Sequence, residues 1–210
     1  MAEPNIQQLK SKKGIEVWLV ESHQIPMVSA RVTFRAGSSF EPAEQNGLAN
    51  LAASLLDEGA GDLDALAFKE ALDDIGARFG AGADKLDTDV SLSTLSAHKR
   101  EAFRLMGLAL NQPHFEADDI ERVKAAIIAG IRQSEESPGA VANRRFMKAV
   151  FGEHAYGLPV SGSEDSVQAL DGSHLSAWHK AQFTKANMVV AVVGDISAEE
   201  TLELIDLALG

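Results

Sequence analysis

The chain has 210 residues, of which 45% are hydrophobic and 24% charged, and its net charge is −12. This composition is ordinary for a globular protein, and the length is sufficient to bury a core. The acidic balance, without a long run of Lys or Arg, argues against nucleic acid and anionic membranes as partners. The sequence contains no cysteine, so disulfides and thiolate metal sites are excluded.

The sequence leaves the cellular compartment open. The longest apolar run, 188–193, is too short to span a bilayer and is typical of a buried strand. The start, 1–4, does not resemble a signal peptide, although processing could have removed one. Neither observation decides between the cytoplasm and an exported location.

Alternating and helical hydrophobic patterns predict twelve elements along the chain. In chain order they are strands 14–21 and 28–36, helices 47–57 and 63–75, strands 78–83 and 86–97, helices 98–110, 116–136, 137–151 and 174–183, strand 187–194 and helix 197–209. We expect the first two strands to pair through a turn around 23–26, and Asp62 to cap the second helix. Pro138 suits the first position of its helix.

This order of elements predicts the class of fold. Strands that come mostly in hairpins, with helices between them, favour an α+β fold. We therefore expect a largely antiparallel sheet with helices packed on one face. With no internal repeat or linker, residues 1–210 are predicted to form one domain.

Five blocks of sequence, taken together, resemble the pitrilysin/insulinase/mitochondrial processing peptidase family of zinc metallopeptidases. They are 35–42 (RAGSSFEP), 46–49 (NGLA), 76–82 (GARFGAG), 151–162 (FGEHAYGLPVSG) and 187–195 (NMVVAVVGD). They occur in the family's order and cover nearly the whole chain. The resemblance implies the processing-peptidase-like fold and the first half of a two-domain subunit.

The resemblance also identifies where the family holds its zinc. In the family, the helix that follows the first two blocks carries H-x-x-E-H, in which two His bind zinc and the Glu activates water. Here the matching positions are Asn50, Ala53 and Ser54. The third ligand, a Glu on the long helix, corresponds to Gly130, and a supporting Glu corresponds to Val123.

These replacements predict a domain without catalytic or metal-binding residues and without a cofactor. Catalytic zinc needs three protein ligands, a bound water and a base that deprotonates it. Asn and Ser are poor zinc ligands, and Ala and Gly offer no donor atom. We therefore expect an inactive homologue rather than an enzyme.

The six histidines offer no replacement for the missing motif. No pair has the i,i+4 spacing that places two imidazoles on one helical face. A zinc site assembled through space stays an alternative, but solvated or capping histidines are favoured. His154 is predicted to shape the turn before Tyr156.

The strand at 78–83 is the candidate for peptide binding. In active family members the equivalent edge strand receives substrate as an added strand. We expect peptide contact at Phe79, Gly80, Ala81, Gly82 and Ala83, since small residues let a second backbone approach. The alternative is an ordinary edge strand twisted at its glycines.

The resemblance implies three functional hypotheses. In the first, the chain is a non-catalytic subunit that completes the substrate chamber of an active H-x-x-E-H partner, forming a heterodimer that acts on peptides. In the second it is a structural assembly subunit, and in the third a stand-alone peptide-binding protein. Related bacterial proteins are often exported, so the periplasm is favoured by resemblance alone.

Overall fold

The computed structural model describes residues 5–210. The prediction that residues 1–4 do not resemble a signal peptide falls on residues outside this range. Among the described residues, no helix is both long enough and apolar enough to cross a membrane.

A six-stranded sheet forms the centre of the structure, in the order β1-β2-β8-β3-β7-β6. Its strands are β1 (Gln7–Lys10), β2 (Glu16–Glu21), β3 (Met27–Phe34), β6 (Arg78–Ala83), β7 (Thr88–Leu95) and β8 (Met188–Gly194). A separate two-stranded ribbon consists of β4 (Gly59–Ala60) and β5 (Leu63–Asp64). All neighbours are antiparallel except β2 and β8, which are parallel. The predicted pairing of β6 with β7 is confirmed.

The predicted pairing of the first two long strands is wrong, because β8 lies between β2 and β3. Val190 of β8 is in register with Val17 of β2 on one side and with Val32 of β3 on the other. The apolar run of β8 makes it the best strand for this fully flanked position. At its end Gly194 has φ 138°, and a Cβ there would collide with the backbone oxygen of Met27. Only glycine allows the strands to come this close.

The helices follow the predicted order with small shifts at their ends. They are α1 (Leu48–Ser54), α2 (Ala65–Asp74), α3 (Lys99–Asn111), α4 (Ala117–Glu136), α5 (Pro138–Phe151), α6 (Glu164–Ala169), α7 (Gly172–Gln182) and α8 (Ala198–Leu209). The short elements β1, β4, β5 and α6 were not predicted, because so few residues carry little periodicity.

The expectation that Asp62 caps the second helix is wrong. Asp64 is the cap, and its Oδ1 accepts a hydrogen bond from the backbone N–H of Ala67 at 2.8 Å. Leu63 and Asp64 belong instead to β5, which pairs with β4 across a turn at Gly61. The ribbon therefore delays the start of α2 by two residues.

The main core lies between the sheet and the helices, as the predicted α+β class requires. One face of β2, β3, β7 and β8 is buried against residues from α1, α3, α7 and α8. The opposite face carries exposed side chains, including Trp18, which is 46% exposed. The second tryptophan, Trp178 of α7, is only 5% exposed and belongs to the core.

Candidate functional site

The entry to α1 is held by a buried carboxylate. Gly47 precedes the helix with φ 102°, a conformation that favours glycine. The carboxylate of Glu41 accepts hydrogen bonds from the backbone N–H groups of Gly47 and Ala49, both at 2.9 Å, and from the Asn46 amide at 2.8 Å. Burial raises the pKa of Glu41, although these N–H donors favour its ionised form. Glu41 thus satisfies N–H groups that the first turn leaves free.

The family-like loop after α5 is tied to the same entry. Asn46 donates a hydrogen bond to the backbone oxygen of Pro159 at 2.9 Å, and its own backbone oxygen accepts one from Ser166 at 2.7 Å. Within the loop, the Tyr156 N–H donates to Nδ1 of His154 at 3.1 Å. His154 therefore shapes this turn, as predicted. The loop and the start of α6 together help to fix where α1 begins.

The positions that the resemblance aligns with H-x-x-E-H lie on α1. Asn50 and Ser54 are partly exposed on α1, whereas Ala53 is only 1% exposed. The Ser54 hydroxyl donates to the backbone oxygen of Asn50 at 2.8 Å, one turn back on the same helix. This hydroxyl therefore serves the helix backbone.

The long helix α4 packs against α1, as two helices that share a site must. Gly130 is exposed on α4, and a Cβ added there would meet no other atom within 4 Å. Val123, two turns earlier, is buried. The described part of the chain holds no group of three or more His, Cys, Asp or Glu side chains that could hold a metal.

An ion-pair network next to this site was missed by the sequence analysis. Glu58, just after α1, has a side chain only 8% exposed, and its Oε2 lies 2.7 Å from Lys69 Nζ and 2.6 Å from an Arg122 nitrogen. Burial opposes ionisation of Glu58, but the hydrogen bonds from Lys69 and Arg122 outweigh it and lower the pKa. The network joins the end of α1 to α2 and α4. Its members are 11 or more residues apart in sequence, so no local pattern signals it.

The predicted peptide-binding strand lies at an edge of the main sheet. β6 is the last strand in the order and pairs with β7, so its other side is open in the described structure. Phe79 points toward the helices and meets Phe68 edge-on, with ring centroids 6.0 Å apart. Gly82 is exposed, and a Cβ added to it would meet no atom of residues 5–210 within 4 Å. The geometry suits strand addition through the backbone, and peptide contact at residues 79–83 stays a prediction.

These features place the chain in a known family. The model of the insulinase family of peptidases, family M16, matches residues 16–164. A second family model, described as the inactive domain of M16 peptidases, matches residues 169–210. The chain belongs to peptidase family M16.

Curated relatives carry two kinds of name. A Helicobacter pylori protein named non-peptidase homolog YmxG is 26% identical over 189 residues, which cover 90% of this chain and 44% of that protein. A Bacillus subtilis protein named uncharacterized zinc protease YmxG is 23% identical over 192 residues, covering 91% of this chain and 47% of that protein. The chain spans about half the length of these relatives.

Solved structures agree on the fold. The structure described as a peptidase M16 inactive domain from Pseudomonas fluorescens superimposes with a TM-score of 0.92 at 33% identity, covering 98% of this chain and 51% of that one. A Helicobacter pylori protease superimposes with a TM-score of 0.89 at 20% identity, covering 98% of this chain and 50% of that one. The predicted α+β fold with a mostly antiparallel sheet is confirmed.

Proposed function

We propose that this chain is a non-catalytic M16 subunit that completes the substrate chamber of an active H-x-x-E-H partner and holds peptide along β6. The observation that carries the proposal is the replacement of every zinc ligand and of the base, by Asn50, Ala53, Ser54 and Gly130. Loss at one position could leave a weakened enzyme. Loss at positions on both α1 and α4 removes the metal chemistry altogether.

The preserved scaffold supports a role as a partner subunit. Glu41, Asn46 and the loop after α5 still define the start of α1, and Glu58 still joins the end of α1 to α4. A subunit that keeps the fold without the metal ligands can still form part of the wall of a substrate chamber and hold a peptide there.

A zinc measurement tests the inactive state. The purified chain is expected to carry no stoichiometric zinc and to cleave no unfolded peptide. The variant Asn50→His/Ser54→His/Gly130→Glu rebuilds the ligand set on exposed or partly exposed positions and is expected to bind one zinc per chain. Elemental analysis measures the zinc content per chain of both proteins, and circular dichroism is the control for folding. Stoichiometric zinc in the unaltered chain would overturn the proposal.

A substitution on β6 tests the peptide-holding part. Gly82→Val adds bulk where a second backbone must approach, so we expect weaker binding of extended peptides in fluorescence anisotropy. The variant should be at least as stable as the unaltered chain, since Val has a higher strand propensity than Gly. Ala191→Val, which adds bulk at an exposed position of β8 in the middle of the sheet, is the matched control. Equal peptide binding by Gly82→Val and the unaltered chain would count against strand addition at β6.

Mixing with an intact relative separates the three functional hypotheses. A complex whose peptidase activity exceeds that of the motif-bearing partner alone favours the proposed role. A silent complex without affinity for peptides favours a structural assembly subunit. Peptide binding by the chain alone, with no complex, favours a stand-alone binding protein.

A further inference from the structure

A pocket of about 270 Å³ lies beyond the end of β6. It is bounded by α5, by the turn between β6 and β7, and by the loop that follows α5. We call it the α5 pocket. Its lining includes Lys85, Asn143, Arg144, Met147, Tyr156 and Val160. Lys85 stands two residues beyond Ala83, the last residue of β6, so a peptide that follows β6 past its end would reach this pocket.

The polar lining of the α5 pocket is cationic. Among the described residues that line it, Lys85 and Arg144 are cations and none is an Asp or Glu. Two carboxylates outside the lining act on these cations. Glu41 acts on Lys85 through its charge, and Glu135 pairs with Arg144 at 3.0 Å. Burial lowers the pKa of Lys85, and the charge of Glu41 works in the opposite direction.

Within the described part of the chain, both cations keep hydrogen-bond donors that no contact uses. The ammonium of Lys85 donates to the backbone oxygen of Leu158, which leaves two of its three N–H groups. The guanidinium of Arg144 donates to Glu135 and to the Ser134 hydroxyl, each at 3.0 Å, which leaves three of its five N–H groups. Both side chains are only partly exposed, and their positions are fixed by these contacts. Fixed, half-buried donors suit recognition of an anion.

The rest of the lining is largely apolar. Met147, Leu158 and Val160 can contact the methylene groups of a ligand whose charged end meets Lys85 and Arg144. A phosphate or sulfate ion would leave this apolar surface uncovered. An acidic group on a short aliphatic stem covers both parts.

We propose that the α5 pocket binds a carboxylate of the peptide held along β6, with Lys85 and Arg144 as its donors. This inference rests on the proposed peptide-holding function and adds a preference to it. The carboxylate can belong to an Asp or Glu side chain or to the carboxyl terminus of the peptide. The net charge of −12 repels acidic peptides as a whole, so a preference for them has to arise locally.

Three matched peptides distinguish the two sources of carboxylate. The first has one interior Glu and an amidated carboxyl terminus, the second has Gln in its place, and the third has Gln with a free carboxyl terminus. Binding is measured by fluorescence anisotropy at low salt. We expect the Glu peptide, the free-terminus peptide or both to bind about tenfold more tightly than the neutral one, which corresponds to about 1.4 kcal/mol. The preference should shrink as salt rises.

Variants assign the preference to its donors. Lys85→Met and Arg144→Met keep the aliphatic stems but remove the charges, and each should reduce the preference for the carboxylate-bearing peptide at least severalfold. Arg145→Met removes an exposed charge from the same helix and is the matched control. Thermal unfolding checks that all variants fold.

The outcomes separate this inference from the function on which it rests. If peptides bind but carboxylate-bearing and neutral peptides bind equally, the carboxylate preference is wrong and the peptide-holding function stands. If the preference persists in both Met variants, the α5 pocket is not its source. If no peptide binds, the peptide-holding function fails. NMR titration with N-acetylglutamate amide and N-acetylglutamine amide then decides about the pocket itself, because only the acid should shift the amide signals of Lys85 and Asn143.

Discussion

At the scale of single residues, the carboxylates of this chain serve mainly as caps and ion-pair partners. Glu41 binds the first turn of α1, Glu58 binds two cations, and Asp171 caps α7. The Asp171 Oδ1 accepts from the Ser173 hydroxyl at 2.6 Å and from the N–H groups of Ser173 and His174 at 2.9 and 3.1 Å. These donors lower the pKa of Asp171 to about 2.

The Asp171 cap predicts a pH dependence of stability. Its pKa is lower in the folded chain than in the unfolded chain, so its stabilising effect is complete above about pH 4 and is lost as the pH falls toward 2. Asp171→Asn keeps a capping side chain but cannot titrate. We expect its unfolding free energy, measured with urea, to fall less steeply between pH 4 and 2. Identical slopes for the two proteins would rule out this contribution. Asp165→Asn, on an exposed turn of α6, is the control.

At the scale of elements, α4 organises the helical layer through one buried cation. Lys124 is 3% exposed, and its Nζ donates to the backbone oxygens of Gln168 and Leu170 at 2.9 and 3.0 Å and to Glu121 at 2.8 Å. These contacts fix the end of α6 and the residue that follows it against α4. The buried face of α4 carries the apolar residues Ile120, Val123 and Ile131, and Lys124 is buried among them.

Lys124→Met tests this anchor. Met retains most of the packing volume but leaves two backbone carbonyl groups, of which that of Leu170 is buried, without this donor. We therefore expect a loss of about 1–3 kcal/mol in unfolding free energy. Lys148→Met removes an exposed cation that pairs with Glu153, and should change stability by less than about 0.5 kcal/mol. Urea unfolding measures both. Equal losses would show that burial of Lys124 contributes nothing.

At the scale of the whole molecule, the two faces of the sheet differ in environment. One is covered by helices, and the other carries an apolar surface with a shallow cavity lined in part by Ile6, Trp18, Val20 and Val193. Exposed apolar surface of this kind binds apolar probes. The two tryptophans sample both environments, since Trp178 lies in the core and Trp18 on the open face.

The tryptophans provide a matched pair of substitutions. Trp178→Ala should cost about 3–5 kcal/mol of unfolding free energy, because it leaves a cavity in the core. Trp178→Phe should cost less, since Trp178 Nε1 makes no hydrogen bond to the described residues. Trp18→Ala should change stability by less than about 1 kcal/mol and reduce binding of the dye ANS. A large destabilisation by Trp18→Ala would contradict the exposure of this face.

Local signals account for what the sequence analysis predicted well. The alternation at 78–83 and 86–97 and their short separation identify β6 and β7 as neighbours. The helical periodicity of the apolar residues identifies α4 and α5, and Pro138 marks the start of α5. Local signals do not determine the order of strands in the sheet. The apolar sequence of β8 is typical of a central strand, but no nearby residue indicates which strands pair with it. The same holds at the site. Family spacing identifies Asn50, Ser54 and Gly130 as the positions to compare with zinc ligands, but the contacts of Glu41, Glu58 and Lys124 depend on segments that only folding brings together.

The position of β8 has a consequence for how the chain folds as it is synthesised. β2 and β3 leave the ribosome early, whereas β8, the strand that joins them, is synthesised much later. At about 5–20 residues per second, β2 waits roughly 10–35 s for β8. During this interval the facing edges of β2 and β3 have no partner and are open to pairing with other chains. Cellular yield of this protein should therefore depend on chaperones that shield nascent strands.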